Sequence, residues 1–252
     1  MKALWSGGVV AIVLLACSSL PEPDVRDPEA LYRAARQAFE RKEMVLAQRW
    51  LETIRLQHPA SQYADDALFL LAELHYQQQQ YVMAAFFYQQ LRESYPQSPY
   101  AREALYRIGL SYLQLSPPYD RDQEYTHKAI QAFAAFRALY PEDTLAQDAA
   151  RQIAQLRAKL AQRDYSIAQL YEKLESPESA LIYYDAVLSE YADTPYAEPA
   201  LVGKIRILAQ LRRTTEALRA IEQYRQSFPH GGYRGAVESI AANLTHDVRS
   251  GQ

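Results

Sequence analysis

The residues that could take part in catalysis or metal binding are few and scattered along the sequence. Five histidines stand apart from one another without the spacing of a zinc site: His58, His75, His127, His230 and His246. The sequence contains neither a glycine-rich phosphate loop nor a GxSxG nucleophile motif. We interpret the carboxylates of Asp120 and Asp122 as parts of a surface turn. We therefore predict that the protein is not an enzyme and uses no metal and no cofactor.

The only cysteine, Cys17, ends an apolar run near the N-terminus. Lys2 precedes the run "ALWSGGVVAIVLLAC", which has the length of a signal peptide and is too short for a stable transmembrane helix. The residues "LLAC" resemble the lipobox of bacterial lipoproteins, in which the peptide is cut before a cysteine that becomes lipidated. This resemblance predicts a signal peptide over 1–16 and a lipid anchor at Cys17. The alternative is an ordinary signal peptide with an incidental cysteine.

The residues after Cys17 suggest a location and a tether. A serine directly after the cysteine, here Ser18, resembles the pattern of lipoproteins that are sorted to the outer membrane. We therefore expect a protein that is anchored by lipid on the periplasmic face of the outer membrane. Three prolines and several charges in 18–30 favour an extended chain. We predict a flexible tether over 17–27.

Because the sequence shows no catalytic or metal-binding pattern, we interpret its function as binding through aromatic side chains. The chain has 252 residues, a net charge of −3 and 20 tyrosines, so nothing indicates a general nucleic-acid surface. Hydrophobic residues make up 49% of the chain, which is typical of a folded protein, and its 8 glycines favour helices over tight turns. The tyrosines must then be positioned by helices.

An aromatic–proline step recurs along the chain and defines a repeat. The five index positions are Pro59, Pro96, Pro141, Ala192 and Pro229. Their spacings of 37, 45, 51 and 37 residues indicate a unit of about 37 residues with insertions of 8 and 14 (45 − 37 and 51 − 37). In the first copy His58 replaces the aromatic residue, which predicts a packing role for its ring.

Residues before and after each index position follow helical spacing. Twelve residues before the index there is always an alanine, at Ala47, Ala84, Ala129, Ala180 and Ala217. The residues eight, five and one positions before each index are mostly apolar, and their spacing places them on the same helical face as the alanine. A second helix follows the index. Four hydroxyl residues precede that second helix and are predicted to cap it: Ser61, Ser98, Thr144 and Thr194. Each unit therefore consists of two helices that need their neighbours to bury an apolar face.

The pattern of a small residue, an aromatic residue four later and a proline twelve later resembles the tetratricopeptide repeat. We predict an all-α fold, an α–α superhelix (solenoid) of about five such repeats with roughly ten helices. Repeats 1–3 would occupy 28–144, and repeats 4–5 with a capping helix 145–252. The fourth repeat is predicted to open with one helix of about 27 residues, and the 8-residue insertion to form a loop around 116–125.

In tetratricopeptide solenoids the first helix of each repeat lines the concave face. The resemblance implies a groove for a substrate peptide formed by Tyr32, Phe69, Tyr76 and Tyr106. Tyr32, Phe69 and Tyr106 share one register of the repeat, and three aromatic rings in that register would hold an apolar or aromatic peptide end. The alternative is that they only cover the interface between repeats. Arg151 and Val202 occupy this register later, so the groove would belong to the N-terminal half.

One long stretch of the sequence indicates a particular family of tetratricopeptide proteins. "DRDQEYTHKAIQAFAAFRALYPEDTLAQDAARQIAQLRAKLAQRDYSIAQLYEK" ends with Leu160, Ala161, Tyr165, Ser166, Ala168 and Tyr171. Together with the lipobox, the tether and the repeats, it resembles the BamD family, the lipoprotein subunits of the machinery that assembles β-barrel proteins in the outer membrane.

The family resemblance implies partners. They are the periplasmic domains of the core barrel-forming subunit, unfolded outer-membrane protein substrates, other assembly lipoproteins, and the membrane through the lipid anchor; no nucleic acid is expected. The core-subunit contact would fall on repeats 4 and 5, at Arg206, Arg212, Arg213 and Glu216. The alternative is a tetratricopeptide factor that coordinates cell division or peptidoglycan work in the envelope.

Overall fold

The computed structural model describes residues 20–250, with side chains up to residue 246, and this part of the chain is entirely α-helical. It contains eleven helices and no strand, which confirms the predicted all-α class. The helices are α1 (Pro28–Glu40), α2 (Met44–Gln57), α3 (Ala64–Gln77), α4 (Tyr81–Ser94), α5 (Ala101–Leu115), α6 (Glu124–Leu139), α7 (Thr144–Lys173), α8 (Pro177–Glu190), α9 (Ala197–Gln210), α10 (Thr214–Ser227) and α11 (Arg234–Ser250). The predicted signal peptide and Cys17 lie outside the described residues.

The chain divides into two compact units, Met1–Leu74 and His75–Gln252. The first unit contains α1, α2 and most of α3. In it α1 starts because the side chain of Asp27 accepts hydrogen bonds from the N–H groups of Glu29 and Ala30, and Pro28 fits the first helical turn. The fully buried alanines Ala35 and Ala47 lie on α1 and α2, where their small side chains allow close helix packing.

The segment before α1 has no regular secondary structure, yet it is attached to α2. The carboxylate of Glu22 accepts hydrogen bonds from the Arg49 guanidinium at 2.7 and 2.8 Å. The carbonyl of Val25 lies 2.7 Å from Nε2 of His58. The His58 ring is half-buried, and through this nitrogen it also binds the N-terminal segment. The last residues of the predicted tether contact the folded unit.

In the second unit each helix packs against the next one along the chain. The long helix predicted for the fourth repeat is confirmed as α7, with 30 residues rather than about 27. Its first half contributes Ala149 and Leu156 to a hydrophobic cluster with α5 and α6. Its second half contributes Ala161 and Ala168 to a cluster that continues through α8 to α11. The 14 additional residues thus let one helix serve two parts of the core.

The two helices of a repeat are joined by the same turn in four of the five described pairs. The residue at the turn has a positive φ between 54° and 61° in each case, at Lys42, Gln79, Glu175 and Arg212. In the first of these turns the N–H of Glu43 bonds to the carbonyl of Ala38, which satisfies the end of α1. None of the four residues is glycine, so each turn carries some backbone strain.

The predicted helix caps are not confirmed. Oγ of Ser98 accepts a hydrogen bond from the N–H of Tyr100, which precedes α5, and α5 has no side-chain cap bond. The hydroxyl of Thr194 instead donates to the carbonyl of Tyr191, and Thr144 lies inside α7, whose cap is Asp143. Oγ of Ser61 is buried without a hydrogen-bond partner among the described residues. The reason is that α3, α5 and α9 begin three residues after these hydroxyls, beyond the reach of a capping bond.

Candidate peptide-binding site

An open cleft of about 370 Å³ runs along α1 in the first unit. The ring of Tyr32, predicted to belong to the groove, stacks on the ring of Tyr63 with centroids 5.5 Å apart. The hydroxyl of Tyr32 donates to the carboxylate of Asp66 on α3 at 3.3 Å. This bond orients the ring, so that the two tyrosines form a flat aromatic wall of the cleft. Tyr63 was missed in the sequence as a partner of Tyr32, although it recurs four residues after the index position.

Charged side chains of α1 line the rest of the cleft. Arg33 pairs with Glu29 at 2.7 Å, and Arg36 lies 3.8 Å from Glu40. All four side chains are more than half exposed, so these pairs contribute little to stability and can exchange partners. A guanidinium group beside an aromatic wall can bind a peptide that presents an aromatic side chain and a carboxylate.

Phe69 belongs to the same unit as Tyr32. It follows Asp66 by three residues on α3, so the two side chains share one helical face. The ring is half-buried. Phe69 is therefore positioned one turn beyond the carboxylate that holds the Tyr32 hydroxyl.

The other two predicted groove residues belong to the second unit. Tyr76 lies near the end of α3, and its ring meets that of Tyr81 edge-on at 5.2 Å. Tyr106 on α5 is only 8% exposed, and its ring packs against Phe133 and Phe136 with centroids 5.6 and 5.4 Å away. Little of the Tyr106 ring is available to a ligand, so its position matches the alternative in which the register covers a repeat interface.

The Tyr106 hydroxyl has a structural partner. It donates a hydrogen bond to the carboxylate of Asp148 on α7, which also accepts one from Arg151. Burial, and then this bond, raise the pKa of Tyr106 well above its usual value. The hydrogen bonds from Tyr106 and Arg151 lower the pKa of Asp148. The pair is thus a neutral phenol bound to a carboxylate at neutral pH.

The long helix α7 also carries an aromatic residue in this register, which was missed in the sequence. Tyr165 lies 27 residues before its index position (192 − 165), the same distance as Tyr32 (59 − 32). Its ring lies near that of Tyr196, with centroids 5.7 Å apart and planes tilted by 45°, whereas Tyr32 and Tyr63 are stacked. Arg151 keeps the register counted from the preceding index, because it follows Pro141 by ten residues as Tyr106 follows Pro96. The insertion thus gives α7 two positions of this register, Arg151 in its first half and Tyr165 in its second.

The residues predicted to contact a core subunit fall into two places in the second unit. Arg206 on α9 binds the carboxylate of Glu172 on α7 at 2.6 and 2.8 Å, and Glu172 also accepts a hydrogen bond from Tyr184. Arg212, Arg213 and Glu216 lie at the turn between α9 and α10 and in the first turn of α10. Arg206 borders a cleft of about 310 Å³ beside Ile240 and Leu244 of α11.

Arg213 and Glu216 form an exposed ion pair. Two bonds of 2.5 and 2.7 Å join their side chains, and both side chains are over 40% exposed. Pairing raises the pKa of Arg213 and lowers that of Glu216, so both stay charged at neutral pH. The turn between α9 and α10 therefore presents fixed charges to solvent.

The described residues contain no group of three or more histidine, cysteine, aspartate or glutamate side chains that could hold a metal ion. None of the helices in this part of the chain has both the length and the hydropathy needed to cross a bilayer.

Comparisons with known proteins complete the description of the site. Residues 24–224 match the model of the family "YfiO: Outer membrane lipoprotein". A relative from Pasteurella multocida (strain Pm70), "Outer membrane protein assembly factor BamD", is 27% identical over 211 residues, which cover 80% of this chain and 81% of the relative. The protein of the same name from Vibrio cholerae serotype O1 (strain ATCC 39315 / El Tor Inaba N16961) is 26% identical over 242 residues, 91% of this chain and 100% of the relative. Among solved structures, a TPR repeats protein from Bacteroides fragilis NCTC 9343 is 12% identical and gives a TM-score of 0.44, with 87% of this chain and 98% of that chain covered.

Proposed function

Since the chain belongs to the YfiO family of outer membrane lipoproteins, we propose that it is a scaffold that holds extended segments of outer-membrane proteins during their assembly. A role in outer membrane protein assembly follows from this membership and from the two assembly factors that the chain resembles along most of its length. The role is that of a binding protein rather than a catalyst, and the site's chemistry supports it. The finer assignments below are parts of the proposal.

The stacked pair of Tyr32 and Tyr63 in the α1 cleft is the observation that supports peptide binding most strongly. The hydroxyl bond to Asp66 keeps the Tyr32 ring in place before a ligand arrives, which reduces the ordering cost of binding. The strands of outer-membrane β-barrel proteins alternate apolar and polar residues and carry aromatic residues near their ends, so an unfolded segment can present an aromatic ring. A ring from such a chain would stack on the wall while an arginine of α1 pairs with a carboxylate.

The location and the other partners are proposed on the family and on the sequence. The lipobox at Cys17 supports a lipid anchor, and the family supports the periplasmic face of the outer membrane. We assign the contact with the core barrel-forming subunit to the exposed charges Arg206, Arg212, Arg213 and Glu216. These four residues belong to the second unit, whereas the α1 cleft proposed for substrate belongs to the first.

Peptide binding by single-residue variants tests the cleft. A fluorescent peptide that copies the C-terminal strand of an outer-membrane barrel protein, with its aromatic end, is titrated with the mature chain. Tyr32→Ala is expected to raise Kd about tenfold, since loss of an aromatic anchor costs more than about 1 kcal/mol. Phe69→Ala is expected to weaken binding as well, by a smaller factor.

The control is Tyr171→Ala, which removes a ring of another stacked pair, Tyr171 with Tyr183, on α7 and α8. It should leave Kd unchanged. Equal Kd values for the wild type and Tyr32→Ala, with unchanged helicity by circular dichroism, would rule out the cleft. The family role would survive that result, because it does not depend on this cleft.

A further inference from the structure

The outer face of α2 carries exposed apolar side chains around a basic one. Val45 is 81% exposed and Leu56 is 66% exposed, and Arg49 lies between them. Spacings of four and seven residues place the three side chains in one stripe along the helix. Such a stripe on the outside of a helix pair has no role in packing the unit.

The charges of α2 itself are basic on balance. They are Arg49, Glu52 and Arg55, which sum to +1. Glu52 is bound to Arg55 at 2.6 Å, and Arg49 is bound to Glu22 of the preceding segment. A stripe of apolar residues beside arginine side chains fits an anionic lipid surface.

The attached N-terminal segment brings this face close to the proposed lipid anchor. Glu22 is fixed to α2 through Arg49, and its carboxylate also lies 3.5 Å from Nε1 of Trp50. Only five peptide units separate Glu22 from Cys17. A fully extended chain of this length spans about 18 Å, which is less than the length of α2 itself, about 21 Å.

We propose that the outer face of α2 lies on the inner phospholipid surface of the membrane, with Val45 and Leu56 in the interface and Arg49 near the phosphate groups. The inference rests on the lipid anchor of the proposed function. The pair of Glu22 with Arg49 shortens the tether and presents this face to the lipid. The tether is then a positioning element for the first unit rather than a free linker.

Spin labels on the full lipidated chain test this orientation. The protein is reconstituted in vesicles of phosphatidylethanolamine and phosphatidylglycerol, and a nitroxide is attached at Val45→Cys, Leu56→Cys or, as a control, Gln37→Cys. With lipid attached to the sulfur of Cys17, the introduced cysteine is the only free thiol. Gln37 is an exposed residue of the α1 cleft in the same unit. The accessibility of each label to oxygen and to a water-soluble nickel complex is then measured.

Labels at positions 45 and 56 are expected to favour oxygen over the nickel complex, and the label at 37 to show the reverse. Vesicles of phosphatidylcholine alone should weaken this contrast. If labels at 45 and 56 on vesicle-bound protein are as accessible to nickel as the one at 37, the face is open to a protein partner instead and the inference is wrong. If the chain does not float with vesicles at all, the lipid anchor fails and the inference fails with it.

Discussion

Tyrosine hydroxyl groups hold neighbouring helices together at several points of this molecule. Tyr106 donates to Asp148, Tyr184 to Glu172, and Tyr224 to Glu198 at 2.7 Å. Burial, and then the bond to Glu198, raise the pKa of Tyr224 to about 12. These rings are therefore neutral donors at physiological pH. The abundance of tyrosine in the sequence thus has two explanations, since some rings pack between helices and others form the wall of the cleft.

The pair of Tyr106 and Asp148 predicts a specific dependence of stability on pH. The folded state lowers the pKa of Asp148, whose side chain is 22% exposed. Its ionised form therefore stabilises the fold above the unfolded pKa of about 4, and this contribution is lost as the pH falls through the folded pKa. Asp148→Asn is expected to lower the free energy of unfolding by about 1 kcal/mol at pH 7.

Urea denaturation at several pH values measures this effect. The difference between the wild type and Asp148→Asn should disappear once the pH has fallen through the lowered folded pKa of Asp148, where the wild-type carboxyl group is also neutral. Glu142→Gln, a change at the exposed residue directly before the cap of α7, serves as the control. It should alter neither the free energy of unfolding at pH 7 nor its dependence on pH. A difference that stayed constant with pH would show that the charge of Asp148 does not matter.

At the scale of elements, close packing of neighbouring helices, within a repeat and between repeats, depends on small residues. Gly109 on α5 faces the Phe133 ring of α6, and a Cβ atom at this glycine would lie 2.6 Å from a ring carbon. Gly203 on α9 has the same relation to Tyr184 of α8. In both cases the absence of a side chain on the glycine lets the aromatic ring of the neighbouring helix pack directly against the glycine backbone.

The substitution Gly109→Ala has two opposing effects on stability, a gain in helix propensity and a loss from overpacking. Alanine favours a helix by about 1 kcal/mol over glycine, whereas overpacking costs about 1–3 kcal/mol. Because Phe133 is fully buried and cannot move away, we expect a net loss of stability and a lower Tm. In α11, a Cβ atom at Gly235 would meet no described atom within 4 Å, so Gly235→Ala should be neutral or stabilising. A Gly109→Ala protein as stable as the wild type would contradict the close packing of α5 on α6.

The helices could be predicted from sequence because their signals are local and repeated. Alanines at one register, such as Ala47 and Ala84, and the aromatic–proline steps determine the helix pairs and their turns. The attachment of Glu22 to Arg49 could not be predicted, because prolines in this segment indicate only an extended chain and not its contacts. The burial of Tyr106 was equally hidden, since its register is the same as that of the half-buried Tyr32. What differs is the presence of Phe133 and Phe136, two aromatic rings of the next helix that pack against Tyr106.

At the scale of the whole molecule, the proposed tasks are assigned to different units. The first unit contains the aromatic cleft and the face of α2 next to the tether, and the second contains the charged turn between α9 and α10. A chain built this way can be held at the membrane, hold a substrate segment and contact a larger partner. Helical repeats suit this role because each pair adds a surface without changing the core of the next pair.

Depletion of the protein in its native cell tests the proposed role in the assembly of outer-membrane β-barrel proteins. The amount of folded β-barrel protein in the outer membrane is measured by heat-modifiable mobility after the protein is depleted. We expect folded barrel proteins to decrease before any change in cell division or peptidoglycan. The wild-type chain should restore them, and Tyr32→Ala should restore them only partly. Normal amounts of folded barrel proteins together with a defect in division or cell-wall structure would contradict the account and favour the alternative envelope role.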